Sequence, residues 1–249
     1  MRTFIVTVSV LFTVALTITL TPAARGEVLK ILYENRPPYY EINDDGSVGG
    51  IISGRIDSTF RKAGIAIDWI HQPWNRQIAT IKRNVDLACS PGWFKNPERE
   101  AFAKFSSPVY QDRPQVIVLR KKDAGRINHP TLVALLGDQN FKLGTKAGFS
   151  YGLYIDTLIK TQTPKMERTQ ADVDGMFRML RAGRFDYFIS APEEFAALSE
   201  RMGEAGKEIT STELPDFPPG NRRYLMCSKS VDDDTIQRFN AALPETPAD

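Results

Sequence analysis

Short apolar runs rich in Val, Ile, Leu and Tyr alternate along the chain with stretches whose apolar positions recur at helical spacing. The runs predict strands near Val28 to Tyr33, Ile65 to Ile70, Val85 to Cys89, Gln115 to Leu119, Phe185 to Ser190 and Tyr224 to Cys227, with a strand-like Phe141 to Thr145. The helical stretches are Ile51 to Lys62, Arg76 to Arg83, Thr131 to Leu136, Gly152 to Lys160, Val173 to Ala182 and Glu193 to Met202. The segment Asp172 to Gly183 opens on acids and stops at glycine, as helix capping requires. Alternating strands and helices predict an α/β fold with mainly parallel sheets.

Two polar breaks divide this pattern. Arg120-Lys-Lys-Asp-Ala-Gly125 follows the Gln115 to Leu119 strand, and Pro215-Asp-Phe-Pro-Pro-Gly220 precedes the Tyr224 strand. Breaks flanking about a hundred residues predict one lobe inserted into another and joined to it by two crossings. The cleft between such lobes is where ligands prefer to bind.

The first residues concern address. Met1-Arg2 is a cationic start, Phe4 to Leu20 is apolar and uncharged, and Ala24-Arg25-Gly26 offers small residues for cleavage. This predicts a secretory signal peptide ending at Gly26; an uncleaved anchor is the alternative, since the run just reaches spanning length. Export changes the reading of Cys89 and Cys227, because an oxidising compartment makes two thiols a candidate disulfide. Two buried thiols that never meet are the other possibility.

Composition narrows the chemistry. Of the 249 residues 25% are charged and 42% hydrophobic, too polar for a multi-span membrane protein. The 32 basic and 30 acidic side chains become 30 and 30 once Arg2 and Arg25 leave with the leader, which removes the main electrostatic support for a nucleic-acid partner. His71 and His129 with two cysteines make no zinc site of the usual spacing, and there is no G-x-x-x-x-G-K-[ST] loop. No cofactor or metal is expected.

Gly148-Phe-Ser150-Tyr-Gly152 matches a nucleophile elbow, but both histidines precede Ser150, whereas that fold needs its histidine afterwards. The alternative is a helix start at Ser150 and Tyr151 whose hydroxyl and amides receive an anion. Pro37-Pro38-Tyr39-Tyr40 places two rings at the end of the first strand, as wall or as core, and Pro73-Trp74-Asn75-Arg76 is equally ambiguous, with Arg76 read as a surface charge. Cys89 to Tyr110 carries a glycine turn, a Pro-Glu-Arg99 helix start and Phe-Ser-x-Pro-x-Tyr.

Together with Asp86, Gly49-Gly50, Gly148-Phe-Ser and Ala182-Gly-Arg-Phe-Asp186, these elements resemble the family 3 extracellular solute-binding proteins, the amino-acid-type receptors of ABC importers. The resemblance implies a type II periplasmic-binding-protein-like clamshell that closes on ligand about a hinge. Residues 1–26 would be the signal peptide, 27–119 lobe I, 120–221 lobe II, and 222–249 the return to lobe I with a disordered tail from Pro244. It also implies that Arg99 clamps a ligand carboxylate, with amides from the turn at Gly92, Trp93 and Phe94, a ring wall of Tyr39, Tyr40 and Trp74, and an anion-receiving helix start at Ser150 and Tyr151.

The family's acid for a ligand ammonium falls on Ala191, so either Glu193 takes that role or the ligand lacks an α-amino group. The implied function is a periplasmic, monomeric receptor that hands a small carboxylate to a membrane permease or sensor. Alternatives are a clamshell enzyme resembling cyclohexadienyl dehydratase, with Glu193 as general acid, and a module whose partner is a membrane sensor protein.

Overall fold

The computed structural model describes residues 28–244. The expected signal peptide and the tail after Pro244 lie outside them. In chain order the strands are β1 (Leu29–Tyr33), β2 (Glu41–Ile42), β3 (Val48–Gly49), β4 (Ile67–His71), β5 (Ala88–Trp93), β6 (Ala103–Gln111), β7 (Val116–Arg120), β8 (Leu143–Lys146), β9 (Met166–Thr169), β10 (Tyr187–Ser190), β11 (Ile209–Thr212) and β12 (Arg222–Ser228). The α-helices are α1 (Ile51–Ala63), α2 (Trp74–Arg83), α3 (Pro97–Glu100), α4 (Leu132–Gly137), α5 (Leu153–Gln162), α6 (Val173–Arg181), α7 (Pro192–Arg201) and α8 (Asp233–Ala242).

Ten of these strands form two five-stranded sheets, ordered β4-β1-β5-β12-β6 and β11-β7-β10-β8-β9, and β2 pairs with β3 in a separate ribbon. The first sheet is the framework of lobe I and the second of lobe II. Within each, one strand runs against the rest: β12 is antiparallel to β5 and β6, and β7 is antiparallel to β10 and β11. These are the strands that follow the two crossings, so each crossing delivers its strand in reversed direction. The chain leaves lobe I after β6 and returns before β12.

Val116–Arg120 pairs with β10 and β11, which corrects the expected boundary at residue 119: this strand belongs to lobe II, and the outward crossing runs through residues 112–115. The reason is covalent order. The polar run at Arg120 follows a strand already committed to the second sheet.

Both sheets are covered on both faces, and the period-2 alternation of a strand divides its side chains between the layers. In β1, Ile31 and Tyr33 join Ile52, Ile56, Phe60 and Phe239 on one face, while Leu32 joins Trp74, Ile81 and Met226 on the other. In β7, Ile117 and Leu119 face Leu135 and Ile155, while Val116 and Val118 face Met176, Phe177 and Leu180.

The pattern reading did not include β6, β9, β11 and α8. The three strands are all sheet edges, and their sequences AKFSSPVYQ, MERT and ITST carry the polar residues, and in β6 the proline, that an edge tolerates. The predicted Val85 to Cys89 strand begins instead at Ala88 and continues to Trp93, with Val85 exposed.

Cys89 and Cys227 face each other across β5 and β12 and are joined by a disulfide, with Cα atoms 4.0 Å apart. The bridge closes a loop of 138 residues that contains the whole of lobe II. In the chain-entropy model a loop of that size gives roughly 4 to 5 kcal/mol.

Among the described residues no helix is long and apolar enough to cross a membrane.

Candidate functional site

Between the lobes lies a cleft of about 1000 Å3, counted open to solvent. Tyr40, Trp74, Gly92, Trp93, Phe94, Arg99, Ser150 and Tyr151, eight of the ten residues singled out from the sequence, line it; Tyr39 and Glu193 do not.

Arg99 is placed by a one-turn helix. Pro97 opens α3 with its fixed backbone, and the Asn96 side chain caps the turn by accepting from the Arg99 backbone N–H at 2.9 Å. The guanidinium then lies over the Trp93 ring, 4.8 Å from its centroid, and donates from Nη1 to the Phe94 carbonyl at 2.7 Å. It is 6% exposed and makes no ion pair among the described residues. Burial pushes its pKa below the ordinary value, as a guanidinium without a contacting carboxylate requires.

Gly92 supplies the turn beside it. Its φ of 89° is a left-handed conformation that side chains rarely adopt, and a β-carbon there would overlap the Tyr40 hydroxyl. Tyr40 thereby approaches the backbone of β5, with its buried hydroxyl lacking a hydrogen-bond partner among the described residues.

Lobe II contributes Lys146, Phe149, Ser150 and Tyr151 from the end of β8 and the loop after it. Phe149 meets Trp74 edge to face across the cleft at 5.4 Å, so the lobes are in contact around the site. The Lys146 ammonium is 7% exposed, 4.6 Å from the Phe149 ring centroid and 4.0 Å from Glu34 Oε2. Desolvation holds its pKa below the ordinary lysine value.

The Ser150 hydroxyl and the Tyr151 N–H are not open to a ligand anion, which corrects the expectation for these two donors, and α5 itself begins at Leu153. Asp156, one turn into α5, already takes both donors: the Ser150 hydroxyl at 2.5 Å and the Tyr151 N–H at 2.8 Å. These donors lie just ahead of α5, whose N-cap Gly152 has no side-chain cap. Tyr151 still contributes its ring, and burial pushes its phenol up to about 12.

Tyr39 and Glu193 are also corrected. Tyr39 is fully buried behind the cleft wall, where its hydroxyl donates to Glu193 Oε1 at 3.0 Å and accepts from Arg223 Nη2 at 3.3 Å. Tyr110 donates to the same Glu193 oxygen at 3.1 Å. Side chains on successive turn positions of α7 diverge, so Glu193 reaches these tyrosines while Glu194 enters the cleft. There Arg36 engages Glu194 at two points, Nη2 to Oε2 at 2.9 Å among them, and the Ser190 hydroxyl adds a contact at 3.3 Å. Burial pushes Glu194 up, but Arg36 more than offsets it and holds the carboxyl below the ordinary value.

Arg36, Lys146 and Arg223 were missed by the sequence reading. Arg36 directly precedes the Pro37-Pro38 pair, but nothing local shows that its partner sits 158 positions away. Arg223 pairs with the fully buried Asp112 of the outward crossing and donates to the Gly92 carbonyl at 3.2 Å. Asp112 N–H donates to the Asn221 carbonyl at 2.9 Å, so the two crossings run side by side at this clasp.

Among the described residues no group of three His, Cys, Asp or Glu side chains is arranged to hold a metal.

Residues 29–143 match the family model of bacterial extracellular solute-binding proteins, family 3, so the resemblance drawn from the motifs is borne out. No curated protein matches the sequence. An ancestral arginine-binding protein bound to arginine is similar in structure, with a TM-score of 0.68 at 18% identity, over 88% of this chain and 91% of that one. Holo ArgBP from T. maritima has a TM-score of 0.66 at 19% identity, over 88% and 89%. An ancestral amino acid-binding protein described as a precursor of cyclohexadienyl dehydratase has 0.66 at 16%, over 88% of each. These likenesses establish the type II two-lobed fold.

Proposed function

We propose that this chain is an exported receptor that closes its two lobes on a small carboxylate-bearing solute and delivers it to a membrane permease or sensor. The observation that carries this is Arg99: a buried guanidinium without a carboxylate partner among the described residues, stacked on Trp93 in a cleft lined by both lobes. Its planar fork suits a carboxylate held at two points. Gly92 to Phe94, Tyr40 and Trp74 surround the carboxylate position and the body of the solute. Contacts from both lobes to one solute supply the differential affinity that drives closure.

The solved relatives are named for binding arginine or amino acids, and the same capture without chemistry is the reading extended to this chain. The lyase alternative needs an acid in the cleft, and its candidate Glu193 is turned away to Tyr39 and Tyr110.

Thermal unfolding of the purified exported chain against amino acids, aliphatic and aromatic carboxylates, polyamines and sugars tests the reading. A ligand at a hundred times its Kd stabilises by about 2.7 kcal/mol, a shift of several degrees for a chain of this size. A shift with a carboxylate that disappears in Arg99→Ala supports capture at this site; shifts only with sugars or polyamines would overturn it.

A further inference from the structure

The cleft contains more charge than a single carboxylate clamp requires. Six charged side chains line it, the cations Arg36, Arg99, Lys146 and Arg223 and the carboxylates Glu34 and Glu194. Two of the cations are already matched: Arg36 by Glu194, and Arg223 by Asp112 behind the wall. Of the other two, Arg99 has no carboxylate partner among the described residues, and Lys146 has only a long ion pair with Glu34. Arg99 spends one N–H on the Phe94 carbonyl, and the Lys146 ammonium makes no hydrogen bond among the described residues, with only Glu34 at 4.0 Å. The buried Tyr40 hydroxyl is a further lining donor, without a hydrogen-bond partner among the described residues.

On the acceptor side, the charge of Glu194 is already matched by Arg36 and its Oε2 also accepts from Ser190, so it offers a ligand ammonium little uncompensated charge. Glu34 is the remaining lining carboxylate, and a ligand ammonium would have to share it with Lys146, its nearest cation at 4.0 Å. Buried donors left without acceptors are costly, and a ligand that supplies acceptors relieves that cost. The walls are apolar and aromatic, formed by Trp74, Trp93, Phe94 and Phe149.

We infer that the ligand is an organic anion without an ammonium group, its carboxylate drawn between Arg99 of lobe I and Lys146 of lobe II and its planar or aromatic body held by the surrounding rings. Arg36 is the chain's own occupant of the cation position: it gives Glu194 the positive partner that a zwitterionic ligand would otherwise bring. A cationic amino acid such as arginine would add a guanidinium to a cleft that already contains three.

This inference rests on the receptor reading above and narrows its ligand class, so the experiment must separate the two. Binding of matched pairs is measured by titration calorimetry on the exported chain: hydrocinnamate against L-phenylalanine, glutarate against L-glutamate, and L-arginine alone. Each deaminated acid that binds is expected to do so at least tenfold more tightly than its amino counterpart, with L-arginine showing no heat. Lys146→Met, which keeps the apolar stem, is expected to weaken hydrocinnamate at least tenfold while leaving the circular dichroism unchanged. Lys146→Arg is expected to retain more of the binding.

If an amino acid binds more tightly than its deaminated match, the inference falls and the receptor reading stands. Unchanged hydrocinnamate affinity in folded Lys146→Met likewise removes Lys146 from the site and overturns the two-cation assignment. Heat with neither carboxylates nor amino acids overturns the receptor reading and this inference with it.

Discussion

Arg36 of lobe I and Glu194 of lobe II close the cleft with a two-point ion pair, Nε to Oε1 at 2.5 Å and Nη2 to Oε2 at 2.9 Å. The pair is largely buried, with Arg36 stacked between the Tyr39 and Phe149 rings at 5.3 and 5.0 Å. It ties lobe I to lobe II within the cleft itself.

Arg36→Met leaves Glu194 facing the closed cleft without a partner, a loss of about 3 to 5 kcal/mol when one member of a buried pair is removed. The expected outcome is a shift toward the open form, visible as a larger radius of gyration in small-angle scattering. The freed carboxylate should also improve binding of L-phenylalanine relative to hydrocinnamate. An unchanged ratio would show that Glu194 has no influence on ligand charge.

The same pair sets a pH dependence. Glu194 has a folded pKa below its ordinary value of 4.5, so its contribution to closure is fully present above about pH 4.5 and is lost as the pH falls through the depressed value. Buried Asp112 acts with the opposite sign, because desolvation raises its folded pKa and protonation relieves a penalty. Acid titration followed by scattering should therefore show opening only well below pH 4.5, and Glu194→Gln should abolish that step. Opening at neutral pH would contradict the assignment.

In the proposed site Arg99 anchors the carboxylate. Truncating one partner of a buried, hydrogen-bonded charge pair costs about 2 to 5 kcal/mol, so Arg99→Ala should weaken carboxylate binding at least thirtyfold. Arg99→Lys should recover only a fraction, since an ammonium cannot reproduce the fork. Calorimetry of both variants, with circular dichroism as the control for folding, decides the matter.

Gly92→Ala forces a β-carbon into the Tyr40 hydroxyl at a residue with φ of 89°. Overpacking of this kind costs about 1 to 3 kcal/mol. The thermal midpoint should fall, and Gly92→Ala with Tyr40→Phe should recover part of the loss, because the double variant removes the clashing oxygen. Strict additivity of the two substitutions would show that the backbone conformation alone is responsible.

Replacing both Cys89 and Cys227 by Ala releases a loop that contains lobe II. The expected cost of roughly 4 to 5 kcal/mol corresponds to a fall of about 10 °C or more in Tm. Reduction of the natural chain should give a similar fall, and one confined to a degree or two would mean that the reduced chain keeps lobe II tethered by packing.

Sequence pattern reached the parts of this fold where burial is two-sided. Runs such as LKILY and VIVLR are apolar because both sheet faces are covered, and they were legible for that reason. Edge strands such as MERT are half-solvated, so their sequences carry no comparable signal. The site divided in the same way. Arg99, Gly92 and Trp74 stand in local motifs with a recognisable order, whereas Arg36, Lys146 and Arg223 are single cations in unremarkable surroundings.

What the sequence determined by itself was the alternation of strands and helices, the two-lobed organisation, the motif that places Arg99 on a one-turn helix, and the two cysteines available for bridging. These follow from local backbone preference and from the periodicity of burial, both of which act over a few residues. Tertiary structure alone decided that β7 joins the second sheet, that Asp156 takes the Ser150 and Tyr151 donors, that Glu193 faces two tyrosines, and that Arg36 reaches Glu194 across the cleft. Each of these depends on a long-range pairing or on which of two neighbouring side chains turns inward, and such choices are set by the geometry of packed elements rather than by any property of the residue itself.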